Sequence, residues 1–145
     1  MVTGMEIASK EWWYVEDSET MKNILLVDDE NHILYSLSKT LRHEGTEVTA
    51  VTNGKDALSE IQRTFYDICF LDVQLPDSNG LELMKIVHER SPATSSIIMT
   101  AGYLNNAQQR SLRSIGCHFF SKPFDLDQVQ ALVAEISSHP VAGND

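Results

Sequence analysis

From Met21 onward the chain alternates short apolar runs with stretches in which apolar residues recur every three or four positions. The short runs predict strands at Ile24–Val27, Val48–Val51, Ile68–Leu71, Ile97–Met99 and Cys117–Phe120. Most are continuous rather than alternating, as strands covered on both faces should be. The stretches between them predict helices. Ile33, Leu34, Leu37 and Leu41 form one stripe, which stops before Gly45, a residue suited to a left-handed helix end. Asn53 stands where it can cap a helix carrying Ala57, Leu58 and Ile61, and Ser78 or Asn79 can cap one carrying Leu83, Ile86 and Val87. Residues 104–115 have only Leu104, Ala107, Leu112 and Ile115 among polar neighbours, so one side must face water or a partner. The last stripe, Leu126, Val129, Leu132, Val133 and Ile136, follows a pair resembling a capping box, Asp125 and Gln128. Five strand–helix repeats predict an α/β fold, an open and mostly parallel sheet with helices on both faces.

Composition narrows this further. A chain of 145 residues with 42% hydrophobic residues holds one domain's worth of core. No apolar run exceeds four residues and the N-terminus has no signal pattern, which predicts a soluble, cytoplasmic protein. Cys69 and Cys117 lie in apolar stretches without metal-type spacing and are expected in the core. A net charge of −10 disfavours direct nucleic-acid binding and adhesion to anionic membranes. Residues 1–20 stand apart from the alternation and carry Trp12, Trp13 and Tyr14 in an acidic segment. They read either as a flexible leader or as an aromatic anchor docking on this domain or a neighbour. Residues 21–138 form the expected domain, and 139–145 read as a tail or the start of a linker.

In an open parallel sheet, ligands bind beyond the carboxyl ends of the strands. Asp28, Asp29 and Glu30 follow the first predicted strand, Asp72 the third, Thr100 the fourth and Lys122 the fifth, so all converge on one rim. Crowded carboxylates repel unless a divalent ion neutralises them, and oxygen donors without clustered His or Cys favour Mg2+. With the repulsion relieved, an aspartate oxygen can attack a phosphoryl group in line, and Asp72 is the best nucleophile. The same acids also suit the N-terminus of the following helix, and Asp72 with Pro76, Asp77, Ser78, Asn79 and Gly80 also suits an ordinary loop. The joint placement at four strand ends favours the chemical reading.

LLVDDE (25–30), FLDVQLPDSNGLEL (70–83), IIMTAG (97–102) and SKPF (121–124) resemble the motifs of two-component response-regulator receiver domains over residues 21–138. The resemblance implies a flavodoxin-like doubly wound (βα)5 sandwich with strand order 2-1-3-4-5. It further implies that Asp72 is the phosphoacceptor, served by a histidine kinase or a histidine phosphotransfer protein. Asp29 would bind Mg2+ directly, Asp28 in the outer shell or through water, and Gln74 through its carbonyl, with Asp72 completing the set. Lys122 would hold the phosphoryl group, Thr100 would be the switch hydroxyl, and the Val73 and Ala101 amides would be further donors. A cis bond before Pro123 is implied as well. Phe119 aligns with the switch aromatic, with Phe120 the alternative, because this chain is one residue shorter than the usual pattern before Lys122. Residues 104–115, 117–120 and 126–136 would form the output face, a homodimer through 104–136 included. Such a domain catalyses only its own phosphorylation and dephosphorylation, and is no enzyme in the usual sense. Two other readings stay open: a haloacid-dehalogenase-type phosphohydrolase, which would need a second Asp where Gln74 stands, and a phosphorylation-independent interaction module.

Overall fold

Strand and helix alternate five times in the order β1 (Lys22–Val27), α1 (Asn31–Leu41), β2 (Thr46–Val51), α2 (Gly54–Arg63), β3 (Ile68–Asp72), α3 (Gly80–Arg90), β4 (Ser95–Thr100), α4 (Asn106–Ser114), β5 (His118–Ser121) and α5 (Leu126–Ser138). This is a computed structural model, and it describes residues 22–43 and 45–138. The readings of residues 1–20 and 139–145 lie outside the described residues. All strand pairs are parallel, in the order β2-β1-β3-β4-β5. The chain order reverses at the β1–β3 pair, and a crevice opens at such a switch point beyond the carboxyl ends of the two strands. Val27 and Leu71 are partners in register, so Asp28 and Asp72, one residue further on, both arrive there.

Alternate residues of the strands feed two cores. Leu25, Val27, Cys69, Leu71 and Ile98 pack under α2, α3 and α4, whereas Ile24, Leu26, Phe70, Ile97 and Met99 pack under α1 and α5. Every residue of β3 and β4 is buried, which explains their lack of sequence alternation. β4 also runs further than its apolar run, taking in Ser95, Ser96 and Thr100. Both cysteines are buried, and burial pushes their thiols up to about 12.

Local signals at the helix ends were partly reassigned. Asn53 caps α2 by accepting the Asp56 N–H, and Asn79 rather than Ser78 caps α3 by accepting the Leu81 N–H. Asp125 accepts from the Asp127 N–H instead of forming a box with Gln128. The full capping box belongs to α4, between Asn105 and Gln108. Gly45 is left-handed but sits in the turn before β2, four residues past the end of α1. The glycine that ends a helix is Gly116, at φ +76°. There the Cys117 and Gly116 N–H groups donate to the Leu112 and Arg113 carbonyls, satisfying the last turn of α4. That turn takes up Cys117, so β5 begins at His118.

Candidate functional site

The β1–α1 turn delivers three acids in a row. Asp28 is fully buried, and its Oδ1 accepts the Glu30 N–H at 2.8 Å, which fixes the turn. Asp29 is exposed beside it. From β3, Asp72 brings a carboxylate into the same crevice, with Oδ1 accepting the Gln74 N–H at 3.2 Å. One carboxylate oxygen from each of Asp28, Asp29 and Asp72 lies within 4.8 Å of the other two. Lys122 enters from the end of β5, where its N–H donates to the Thr100 carbonyl and its bond to Pro123 is cis. Its Nζ stands 2.7 Å from Asp28 Oδ2, 2.9 Å from Glu30 Oε1 and 3.2 Å from Asp72 Oδ2.

These charges set each other's ionisation. Burial raises the Asp72 pKa, the charge of Asp28 raises it further, and Lys122 only partly opposes them. For Lys122, burial works downward, but the contacts with Asp28 and Glu30, together with Asp72, hold the ammonium above the ordinary lysine value. Glu30 is held below its usual value by the hydrogen bond from Lys122. One ammonium serves three carboxylates. Asp28 Oδ2, though ion-paired, is buried and accepts no hydrogen bond. A buried carboxylate oxygen held only by a shared ammonium, in a cluster of three acids, is the kind of site that a hard divalent cation fits. Among the described residues, Asp28, Asp29 and Asp72 are the side chains able to hold one.

The β3–α3 loop is built around Asp72. Gly80 packs so tightly that a Cβ there would lie 2.1 Å from the Asp72 carbonyl oxygen and 2.7 Å from its carbon. The Gly80 N–H donates to the Val73 carbonyl, and Gln74 bridges to Asn79. Further out, Asp77 accepts the Gly54 and Lys55 N–H groups at 2.7 and 3.0 Å, fastening the loop to the start of α2. Those bonds hold the Asp77 carboxyl below its usual value. Glu30 stood among the rim acids in the sequence but was given no role there; Gly80 and Asp77 are the contributors that sequence reasoning missed. The only signal for each was its place in a turn.

One expected donor is corrected. The Val73 N–H continues the sheet, donating to Met99 O at 2.9 Å, so the amide presented to the Asp72 carboxylate is that of Gln74. Ala101 follows Thr100 on the rim and is exposed. Thr100 is buried, with Oγ accepting the Gly102 N–H at 2.9 Å. Strand register separates the two phenylalanines. Phe119 pairs with Ile98 and shares the face of Thr100, packing into the core under α4 with the Arg113 guanidinium 5.3 Å above its ring. Phe120 points to the other core, 6.0 Å from Phe124.

Comparisons with known proteins point to one family. The family profile described as response regulator receiver domain matches residues 24–134. The response regulator PilR of Pseudomonas aeruginosa is 36% identical over 111 residues, covering 76% of this chain and 25% of PilR. The DNA-binding transcriptional regulator NtrC of Proteus hauseri is 31% identical, covering 81% of this chain and 25% of NtrC. The chain thus spans about a quarter of the length of these two relatives. Among solved structures, a receiver domain from Methanospirillum hungatei superposes with a TM-score of 0.74 at 28% identity, covering 81% of this chain and 94% of that one. TrrA of Thermotoga maritima, solved in complex with Mg2+-BeF, gives a TM-score of 0.68 at 30% identity, covering 80% and 99%.

Proposed function

Since the chain belongs to the response regulator receiver domain family, we propose that it is a signalling switch thrown by phosphorylation of Asp72 with Mg2+ bound. The observation that carries this reading is the meeting of Asp28, Asp29, Asp72 and Lys122, from three strand ends, within hydrogen-bond or metal-ligand reach. The phosphoryl donor is a phosphohistidine on a histidine kinase or phosphotransfer protein. An Asp72 oxygen forms the bond to phosphorus as the bond from phosphorus to the imidazole nitrogen breaks, the electron pair leaving with the imidazole. When bound, Mg2+ supplies positive charge that offsets the carboxylates and the phosphoryl oxygens. The carbonyl of Gln74 is the proposed backbone ligand beside the three aspartates. Lys122 is the proposed partner of one phosphoryl oxygen, and the Gln74 and Ala101 amides are the proposed donors to the others.

Thr100 is the proposed switch hydroxyl. Its oxygen accepts the Gly102 N–H, and its own O–H is the donor proposed for a phosphoryl oxygen. Phe119, on the same face of the sheet, transmits the change to α4, and Arg113 over its ring links it to the surface. The proposed output face is 104–115, 117–120 and 126–136, where a groove lined by Arg113, Phe119, Gln128 and Leu132 is open to a partner or a second copy. The domain turns over no separate substrate. A cytoplasmic location is proposed; among the described residues no helix is long and apolar enough to cross a membrane.

The test is incubation with Mg2+ and acetyl phosphate, followed by intact mass. One hydroxylamine-labile phosphoryl group on wild type, absent from Asp72→Asn, is expected. Sustained release of phosphate from added phosphoesters would instead favour a hydrolase, and a chain that takes no phosphoryl group at all would favour a phosphorylation-independent module.

A further inference from the structure

Glu30 occupies the N-cap of α1, where a short polar side chain ordinarily folds back onto its own helix. It makes no such bond. Its carboxylate reaches instead to Lys122, 92 residues along the chain, at 2.9 Å. The three carboxylates within mutual reach of one cation are Asp28, Asp29 and Asp72, and Glu30 is outside that group. Lys122 is therefore shared between two oxygens a divalent ion would need, on Asp28 and Asp72, and one it would not, on Glu30.

We propose that Glu30 is a positioning residue for Lys122: it takes a share of the ammonium that the metal-binding carboxylates would otherwise hold alone, easing Mg2+ binding while restraining phosphoryl transfer to Asp72. This rests on the reading of Asp72 as phosphoacceptor. Two effects act together. Without the Glu30 charge, the ammonium is held by Asp28 and Asp72 alone and competes more strongly with the divalent ion for the same oxygens. An incoming phosphodonor is itself negative and needs Lys122, so the Glu30 carboxylate both repels it and vies for the same N–H groups.

The test compares wild type, Glu30→Gln and Glu30→Asp in two measurements: Mg2+ affinity by calorimetry without a phosphodonor, and the phosphorylation rate by intact mass with saturating Mg2+ and acetyl phosphate. In the second, an Asp72 oxygen bonds to phosphorus as the bond to the acetate oxygen breaks and acetate leaves. Exposed ion pairs are weak, so each change should be about threefold. Glu30→Gln is expected to bind Mg2+ more weakly and to be phosphorylated faster, and Glu30→Asp to return both values toward wild type. A damaged site would lower both. Phosphorylation of wild type with Glu30→Gln lowered in both measurements, or unmoved in both, would overturn this proposal alone. A wild type that binds Mg2+ yet never takes a phosphoryl group would sink the reading of Asp72 and this proposal with it.

Discussion

At the amino end of the sheet, polar groups pair through hydrogen bonds. Asp67 accepts the Asn23 N–H at 2.8 Å, the Thr94 hydroxyl donates to Tyr66 O at 2.6 Å, and Ser91 bonds Thr94 at 2.7 Å. At the carboxyl-end rim, one strand length away, one ammonium faces three carboxylates, a buried carboxylate oxygen lacks a hydrogen bond, and Asp72 is pushed toward its neutral form. The two ends share strands and cores, so the difference is not one of packing. The amino end closes its polar accounts with local bonds and contributes to stability. The rim stays electrostatically unbalanced until a cation arrives, which is what a site awaiting ligand chemistry requires.

The contrast breaks most visibly at Gly80. Replacing it with Ala drives a Cβ into the Asp72 backbone, and overpacking of this kind should cost about 3 kcal/mol or more. The melting temperature should then fall by roughly 10 °C, read by calorimetry. Lys122→Met should separate function from stability. Phosphorylation at saturating Mg2+ should slow about a hundredfold, as on losing a charged transition-state donor. Mg2+ should bind more tightly, because the ammonium no longer occupies Asp28 and Asp72; weaker binding would show that Lys122 organises the cluster rather than competing for it.

At the other edge, Thr94→Val leaves the Tyr66 carbonyl without its donor and should cost about 1 to 2 kcal/mol. The gain in melting temperature on adding Mg2+ should be unaltered. In wild type that gain should correspond to about 2.7 kcal/mol at one hundred times the dissociation constant. A Thr94→Val variant that lost it would mean that the two ends are coupled.

The smallest effect is one of pH. Because the folded state raises the Asp72 pKa, ionising Asp72 costs the fold stability, and the cost grows as pH rises from below the ordinary carboxylate value through the raised one. Without divalent ions, Asp72→Asn should melt a few degrees higher than wild type at pH 7, and the gap should close in acid. Glu30 acts in the opposite sense: its lowered value means that its contribution is present above the ordinary glutamate range and is lost on acidification.

Periodicity made the architecture legible because the strands of this sheet are buried on both faces and the helices on one. The rim acids and Lys122 were legible too, since each directly follows an apolar run that had to be a strand. What escaped depended on contacts between distant parts of the chain. Asp77 has turn neighbours in sequence, yet its partners are the amides of Gly54 and Lys55. Glu30 suited a helix N-terminus, but Lys122 captures it. Gly80 looked like any loop glycine until the Asp72 backbone came against it. The Val73 amide was misassigned because an extra sheet bond to Met99 lies beyond the apolar run that marked β3. Phe119 and Phe120 were separable only by strand register, which apolar neighbours in a four-residue strand do not encode.

The central claim is that Asp72 accepts phosphorus in a pocket shared with a divalent ion and Lys122. A crystal structure of the chain with Mg2+ and beryllofluoride tests it most directly. The expected result is beryllium bonded to an Asp72 carboxylate oxygen, fluorine within hydrogen-bond distance of Lys122 Nζ and Thr100 Oγ, and Mg2+ against Asp29. Beryllofluoride bound elsewhere, or an Asp72 carboxylate left bare with Lys122 still seated on Asp28, would contradict it.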